Sequence, residues 1–418
     1  MRRREFLQAL AASASLSVWT PSLARATSTP RRPPRYYVQI LLWGGIDTIL
    51  TLDPRVRAEV DPGIDLPYGA NDIIDTGSFP LGPFASSLKK WAHRMAIVKG
   101  VQVGTANHPA GIRQFVRMKT NVTDGMPSIL SIIARHRSTQ PLGVVQLTYR
   151  GLKNNAYSSQ AWFPGRSVKL PEAAQSRSIL DVLQGLPPDD AEMFAEVLAE
   201  QAKSASDPET ATSLTELGTA LHQLRRAPPF KSETWTDVEA LKPDADDLQR
   251  ILWLLENDLT ACVFSSTAVL LDTHYQNYEL QKRGKEYLSL FARFLDELSV
   301  RRNRHGNLLE NTLIFAGSEL GRSPFLNTNL GKDHFPEIPA LFLGSGVNTG
   351  THGSIFGHTD RKMAAVPVSR RTGRPDGGDV GHIRLDDLGA TVLDIAGIAP
   401  ASNGYAGTVL PFLKAQPA

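Results

Sequence analysis

The chain has one cysteine, Cys262, among its 418 residues. An intramolecular disulfide is therefore excluded, and the thiol, set in an apolar segment, reads as a buried core residue. Long apolar runs are also scarce. The extended one lies at the amino terminus, from Leu7 to Trp19, and falls short of the ~20 residues that a membrane-spanning helix needs. Nothing later in the chain replaces it, so a membrane-embedded body is not expected. Net charge is lacking as well. The formal balance is +3, and residues 1–26, with Arg2, Arg3, Arg4 and Arg25 against Glu5, account for all of it. The remainder is neutral, which removes the electrostatic case for a nucleic-acid partner. No short-period repeat is visible, which excludes a solenoid.

The amino terminus carries an address. Arg3-Arg4 is followed by Phe6-Leu7, by an Ala- and Ser-rich apolar stretch, and by Ala24-Arg25-Ala26. Basic, apolar and small-residue segments in that order mark a secretory signal, and the arginine pair marks the twin-arginine route. An amphipathic helix with basic residues is the alternative, and it would not need this order. The expectation is a signal peptide over residues 1–26, with the twin-arginine machinery as partner. The mature protein would be periplasmic or secreted, without stable membrane insertion once the signal is cleaved. Such cargo crosses folded and often holds a metal or cofactor, which agrees with the missing disulfides. Residues 27–35, rich in Pro and Arg, read as a linker, because proline excludes a helix or sheet interior.

From residue 36 to 418 the pattern is α/β. Tyr36–Trp43, Met95–Val103, Val144–Tyr149, Thr267–Leu271, Asn311–Ala316 and Ile338–Leu343 read as short buried strands. Helices are expected over Phe84–His93, Pro109–Lys119, Pro127–Arg137, Ala245–Cys262, Tyr287–Val300 and Leu385–Ile395, two of them opening on proline. Residues 151–245 are polar and helical and read as an insertion. Strands alternating with helices predict a three-layer fold, a mostly parallel sheet with helices on both faces.

In an open parallel sheet, ligands sit beyond the carboxyl ends of the strands. There this chain places Asp47, His108, Asp272, His274, Glu319, Arg322, Asp333, His334, His358 and Asp360. Carboxylates mixed with imidazoles suit zinc or manganese, whereas carboxylates alone would suit calcium or magnesium. Asp272 and His274 are two apart, so in extended chain they face one side and could reach one ion. Two ions held this way would polarise an ester oxygen and activate a nucleophile. Each residue also admits a structural role. Asp47 after two glycines could cap a turn, His108 could cap the helix that follows, and Glu319 with Arg322 could be a loop-fixing salt bridge. The case rests on their collective placement.

The same residues resemble those of the DUF1501 family of exported bacterial proteins, which lies within the alkaline phosphatase and sulfatase superfamily. The resemblance runs through Leu41-Leu-Trp-Gly-Gly-Ile-Asp47, Met95-Ala-Ile-Val-Lys-Gly-Val101 and Leu271-Asp-Thr-His274. It is most specific in Gly317-Ser-Glu-Leu-Gly-Arg-Ser-Pro324 with Asn327 and Gly331-Lys-Asp-His-Phe-Pro336. It fades between about residues 150 and 250. The resemblance implies an alkaline phosphatase-like sheet and a site for one or two divalent ions. Asp47, Asp272, His274, Glu319, Asp333, His334 and His358 would be the ligands. It further implies a hydrolase of phosphate or sulfate esters, with a small anionic ester as substrate. Thr105 or a water would attack, His108 would stand beside them, and Arg322 would pair the anion. Thr105 is the hydroxyl nearest the expected nucleophile position, and the Cys/Ser-x-Pro-x-Arg pattern of sulfatases is absent. A non-catalytic binding or assembly protein that keeps the fold is the alternative.

Overall fold

The computed structural model describes residues 33–123, 126–137, 140, 142–147, 167–170, 187–206, 208–376 and 378–415. The signal expected over 1–26 and linker residues 27–32 lie outside the described residues.

Strand β1, Tyr36–Leu41, is buried at every position. Its side chains alternate: Tyr36, Val38 and Ile40 enter one apolar cluster, while Tyr37 and Leu41 enter another. A run without polar alternation suits a strand covered on both faces. The other strands are β2 (Met95–Gln102), β3 (Leu142–Leu147), β4 (Ser167–Leu170), β5 (Thr260–Ser266), β6 (Thr312–Gly317), β7 (Glu337–Gly344) and β8 (Ser354–Phe356). They form one eight-stranded sheet in the order β8-β2-β7-β6-β1-β5-β3-β4. Neighbours run parallel except at β7, which is antiparallel to both β6 and β2.

The helices are α1 (His108–Arg117), α2 (Ile129–Arg137), α3 (Pro188–Ser204), α4 (Pro208–Arg226), α5 (Lys242–Glu256), α6 (Asn277–Val300) and α7 (Leu385–Ile395). One face of the sheet is covered by α5, α6 and a 3-10 segment, Pro83–Arg94, through Leu252, Phe291, Phe294, Leu88 and Trp91. The other is covered by α1, α2 and α7, through Ile112, Phe115, Ile133, Leu388 and Val392. The result is the expected three-layer α/β sandwich. Within the stretch read as a polar insertion, β4 pairs with β3 at the sheet edge. Phe194, Leu198, Leu221 and Leu224 of α3 and α4 join the first cluster. Among the described residues, no helix is long and apolar enough to cross a membrane.

One expected strand is misplaced. Thr267–Leu271 is not in the sheet, and the expected helix Ala245–Cys262 divides into α5 and strand β5. The apolar segments Ile251–Leu255 and Ala261–Phe264 are both buried and too short for periodicity to tell helix from strand. The break is at Asn257-Asp258, where Asp258 takes a left-handed backbone at φ 53°, the usual end of a helix. Cys262, on β5, is fully buried, and burial raises its thiol above the usual range. The displaced segment still follows β1: Thr267 donates its N–H to Leu41 and Leu271 donates to Trp43, at 2.9 and 3.0 Å. This carries Asp272 to the rim of the sheet.

Asp258 also anchors the start of the described chain. Its carboxylate accepts from the Tyr36 hydroxyl at 2.7 Å, Gln140 Nε2 at 2.8 Å, Arg35 Nη2 at 3.2 Å and Arg304 Nη2 at 2.5 Å. Burial opposes its ionisation, but these donors outweigh burial and hold the carboxyl well below the usual range.

Candidate metal centre

The direction of the strands decides what gathers at one rim. Strands β1, β2, β5 and β6 end there, and β7, running the other way, begins there. Five loops from adjacent strands therefore meet: Gly44–Asp47, Thr105–His108, Asp272–His274, Ser318–Arg322 and Lys332–His334. His108 is the first residue of α1, placed by Asn107, whose side chain accepts the Ala110 N–H at 3.1 Å and caps the helix.

At the centre is Asp272. Its Oδ1 lies 3.4 Å from His108 Nε2, 3.2 Å from His274 Nε2 and 3.4 Å from His334 Nε2. The Nε2 atoms of His274 and His334 are 2.9 Å apart. His108, Asp272 and His334 meet the geometry of a group that could hold a metal ion, and His274 closes beside them.

The remaining ring nitrogens show what these faces are for. His334 Nδ1 sits 2.7 Å from the carbonyl oxygen of Ala106. A carbonyl only accepts, so that nitrogen carries the proton. His108 Nδ1 faces Glu319 Oε1 at 2.6 Å and His274 Nδ1 faces Asp333 Oδ1 at 3.0 Å, so they too donate. In the neutral rings, all three Nε2 atoms then point bare lone pairs at an anionic oxygen. His108 Nε2 is buried with no hydrogen-bond partner. Four electron-rich atoms at such distances repel unless a positive charge lies among them, either a proton on His108 Nε2 shared with Asp272 or a metal ion that replaces it. Tetrahedral zinc, with bonds of roughly 2.0–2.1 Å, sets its ligand atoms about 3.3 Å apart, and the observed separations bracket that value. A second nitrogen tied to a carboxylate or carbonyl is the arrangement that orients metal-binding histidine. The donor set fits a divalent ion.

Without an ion, the electrostatics favour a proton in its place. Burial disfavours the charged form of His108, but Asp272 and Glu319 outweigh it and push the imidazole up to about 9. Burial would raise the Asp272 carboxyl, but His108 and Arg322 hold it well below the usual range. Desolvation, with the charges of His108 and Arg322, lowers His334. Hydrogen bonds from Asn327 and His274 lower Asp333.

The other expected residues divide by position. Glu319 is fully buried; besides His108, it accepts from Gly44 N–H at 2.8 Å and from the Ser318 hydroxyl at 3.2 Å. Asp333 takes Asn327 Nδ2 at 3.1 Å as well as His274. Arg322 is buried, and its donors go to the Gly44 and Lys332 carbonyls and, at 2.5 Å, to Asp272 Oδ1. Asp47 faces Lys332 at 2.8 Å. Thr105 accepts the Asn107 N–H at 3.1 Å. His358 stands elsewhere, in a two-residue strand with Lys99, Arg55 and Asp53 nearby. Two glycines let the loops close. A side chain on Gly44, whose φ is +102°, would meet Asp272 N at 2.5 Å, and one on Gly331 would overlap the His274 backbone. Sequence reasoning missed Lys332, Asn277 and Gln281, which line the inner side of this rim; no local pattern marks them as buried.

The fold and site define a three-layer α/β protein with a His/Asp group able to take a metal ion. A family model described as a protein of unknown function, DUF1501, matches residues 262–376, the segment that carries every one of these loops except those after β1 and β2. Similar solved structures include a protein in the alkaline phosphatase superfamily from Vibrio parahaemolyticus, at 10% identity, with 100% of this chain and 79% of that one covered and a TM-score of 0.38. Another is alkaline phosphatase from the Antarctic bacterium TAB5, at 10% identity, covering 88% and 98%, with a TM-score of 0.37. A third is the lipoteichoic acid synthase LtaP from Listeria monocytogenes, at 9% identity, covering 98% and 82%, with a TM-score of 0.39. No curated protein matches the chain. Likenesses this distant carry no argument about the site, which stands on its own geometry.

Proposed function

We propose that this protein is an exported, metal-dependent hydrolase of phosphate or sulfate esters. One observation carries the reading: three imidazoles, each tied at Nδ1, turn their Nε2 atoms on one carboxylate oxygen. A divalent ion such as zinc or manganese, when bound, supplies Lewis-acid polarisation of an ester oxygen and acidifies a nucleophile. The chain's own groups do the holding. His108, Asp272, His274 and His334 would be the ligands, Glu319, Asp333 and the Ala106 carbonyl orient the rings, and Arg322 fixes Asp272. Thr105 stands in the loop that leads to His108, and its hydroxyl accepts the Asn107 N–H. Beside His274, Tyr275 and Leu330 form an antiparallel bridge and are 58% and 64% exposed. The engagement of all three Arg322 nitrogens within the protein favours the second reading, a binding or assembly protein without turnover.

Purified mature protein should retain zinc or manganese by elemental mass spectrometry. It should hydrolyse p-nitrophenyl phosphate or sulfate and lose that activity on chelation. Bound metal without turnover on either ester would leave the binding reading. Export rests on Arg3-Arg4 and the segment behind them. Changing both to Lys should retain the protein in the cytoplasm on cell fractionation; undiminished export of the variant would remove the twin-arginine assignment.

A further inference from the structure

The resemblance implies one or two ions with Asp47 among the ligands, and the residues around Asp47 do not accommodate an ion. A carboxylate offers about four lone-pair sites. Asp47 Oδ1 accepts the N–H groups of Ile49 and Leu50 at 3.1 and 3.4 Å. Its Oδ2 accepts Asn277 Nδ2 at 2.7 Å and Lys332 Nζ at 2.8 Å. All four sites are used. The Lys332 ammonium is also 3.6 Å from Asp65 Oδ2, and its side chain is 0% exposed. A buried ammonium is costly unless paired, and here it lies between two carboxylates. A divalent ion would have to eject it and strip two backbone donors from Asp47.

The segment 272–274 separates this cluster from the histidines. Asp272 and His274 turn to one side. Thr273 turns to the other, its hydroxyl donating to Asn277 Oδ1 at 2.5 Å and its carbonyl accepting the Lys332 N–H at 2.9 Å. The Lys332 carbonyl in turn accepts from Arg322 at 2.9 Å.

We infer that the centre takes a single ion, and that the Lys332 ammonium is a built-in cation at Asp47, which the resemblance makes a metal ligand. This rests on the metal reading above and goes beyond it in stoichiometry and in the role of Lys332. As a positioning residue, Lys332 neutralises Asp47 and braces the inner side of the 272–274 segment without touching a substrate.

The test is a metal count. Wild-type protein, His334→Ala and the double variant Asp47→Asn/Lys332→Met are saturated with zinc, dialysed and analysed by elemental and native mass spectrometry. The expected result is one zinc per wild-type chain, none in His334→Ala, and one in the double variant. Two zinc ions per wild-type chain, with one retained in His334→Ala, would overturn the single-ion inference and leave the metal reading standing. A folded double variant without zinc would make Asp47 a ligand and also overturn it. No zinc in the wild type would instead defeat the metal reading beneath. The wild-type and His334→Ala counts decide the matter even where the double variant fails to fold. Lys332 reactivity supplies the second readout: reductive methylation followed by peptide mapping should leave Lys332 unmodified with or without zinc. Zinc-dependent labelling of Lys332 would show the ammonium displaced.

Discussion

Asp272→Asn should remove the metal while leaving the sheet intact. The substitution keeps the shape of the side chain and deletes the charge on which three Nε2 atoms converge. Loss of a group that merely orients a ligand costs roughly 10–100-fold in affinity. Loss of the anionic ligand should exceed that, by at least about 100-fold. Glu319→Gln, acting only through His108, should fall inside the smaller range. Arg322 would also be left buried opposite a neutral amide, and breaking a buried ion pair costs about 3 kcal/mol or more. Zinc titration with a competing chelator and urea unfolding of the metal-free forms would measure the two effects separately. If Asp272→Asn keeps wild-type zinc affinity, the cluster is not the site.

Asp244→Asn should make the protein more stable, by an amount that grows as pH rises above about 4 and is complete above about 7. Asp244 opens α5, is buried, and accepts the Ala268 N–H through Oδ1 at 2.6 Å, while Oδ2 has no partner. Burial, only partly offset by the N–H groups of Ala268 and Val269, pushes its carboxyl up to about 7. In the unfolded chain it titrates near ~3.9. Between those values the native protein holds a proton that the unfolded chain has released, so stability from this group is complete below about pH 4 and declines up to about pH 7. The decline amounts to about 4 kcal/mol, at 1.36 kcal/mol per unit. Asparagine keeps the acceptor and cannot ionise, so the variant and wild type should agree near pH 4 and diverge above it. Parallel stability profiles from pH 4 to 8, recorded with chelator in both, would refute this. The site is implicated because Ala268 begins the loop that delivers Asp272.

Legibility in the sequence follows burial. The strands Tyr36–Leu41, Met95–Gln102, Thr312–Gly317 and Glu337–Gly344 stand out because each is a short apolar run closed by glycine or a polar turn. The boundary between α5 and β5 is hidden, since both are buried and only Asn257-Asp258 divides them. At the site, Asp272 and His274 are legible as a pair because a two-residue spacing has a local geometry. The strand ends also bring His108, Glu319, Asp333 and His334 into view, but spacing cannot say which acid faces an ion and which faces an imidazole. That depends on side-chain contacts between loops far apart in the chain. Lys332 is illegible for the same reason. In sequence it is one more charged residue in a polar loop, and only packing against Asp47, Asp65 and Asn277 makes it an interior cation.

The reversed strand β7 has a consequence for how the protein is made. It sits between β2 and β6, so until it is synthesised no strand-to-strand hydrogen bonding joins the strand that leads to His108 to β6 and β1. The contact between His334 and Ala106 spans 228 residues, and contacts this distant form late and only once the intervening chain exists. A ribosome-bound fragment that ends before β7, Glu337–Gly344, lacks the strand that joins β2 to β6 and has no assembled site for an ion. Any ion that the site takes would therefore be bound only after β7 has been made.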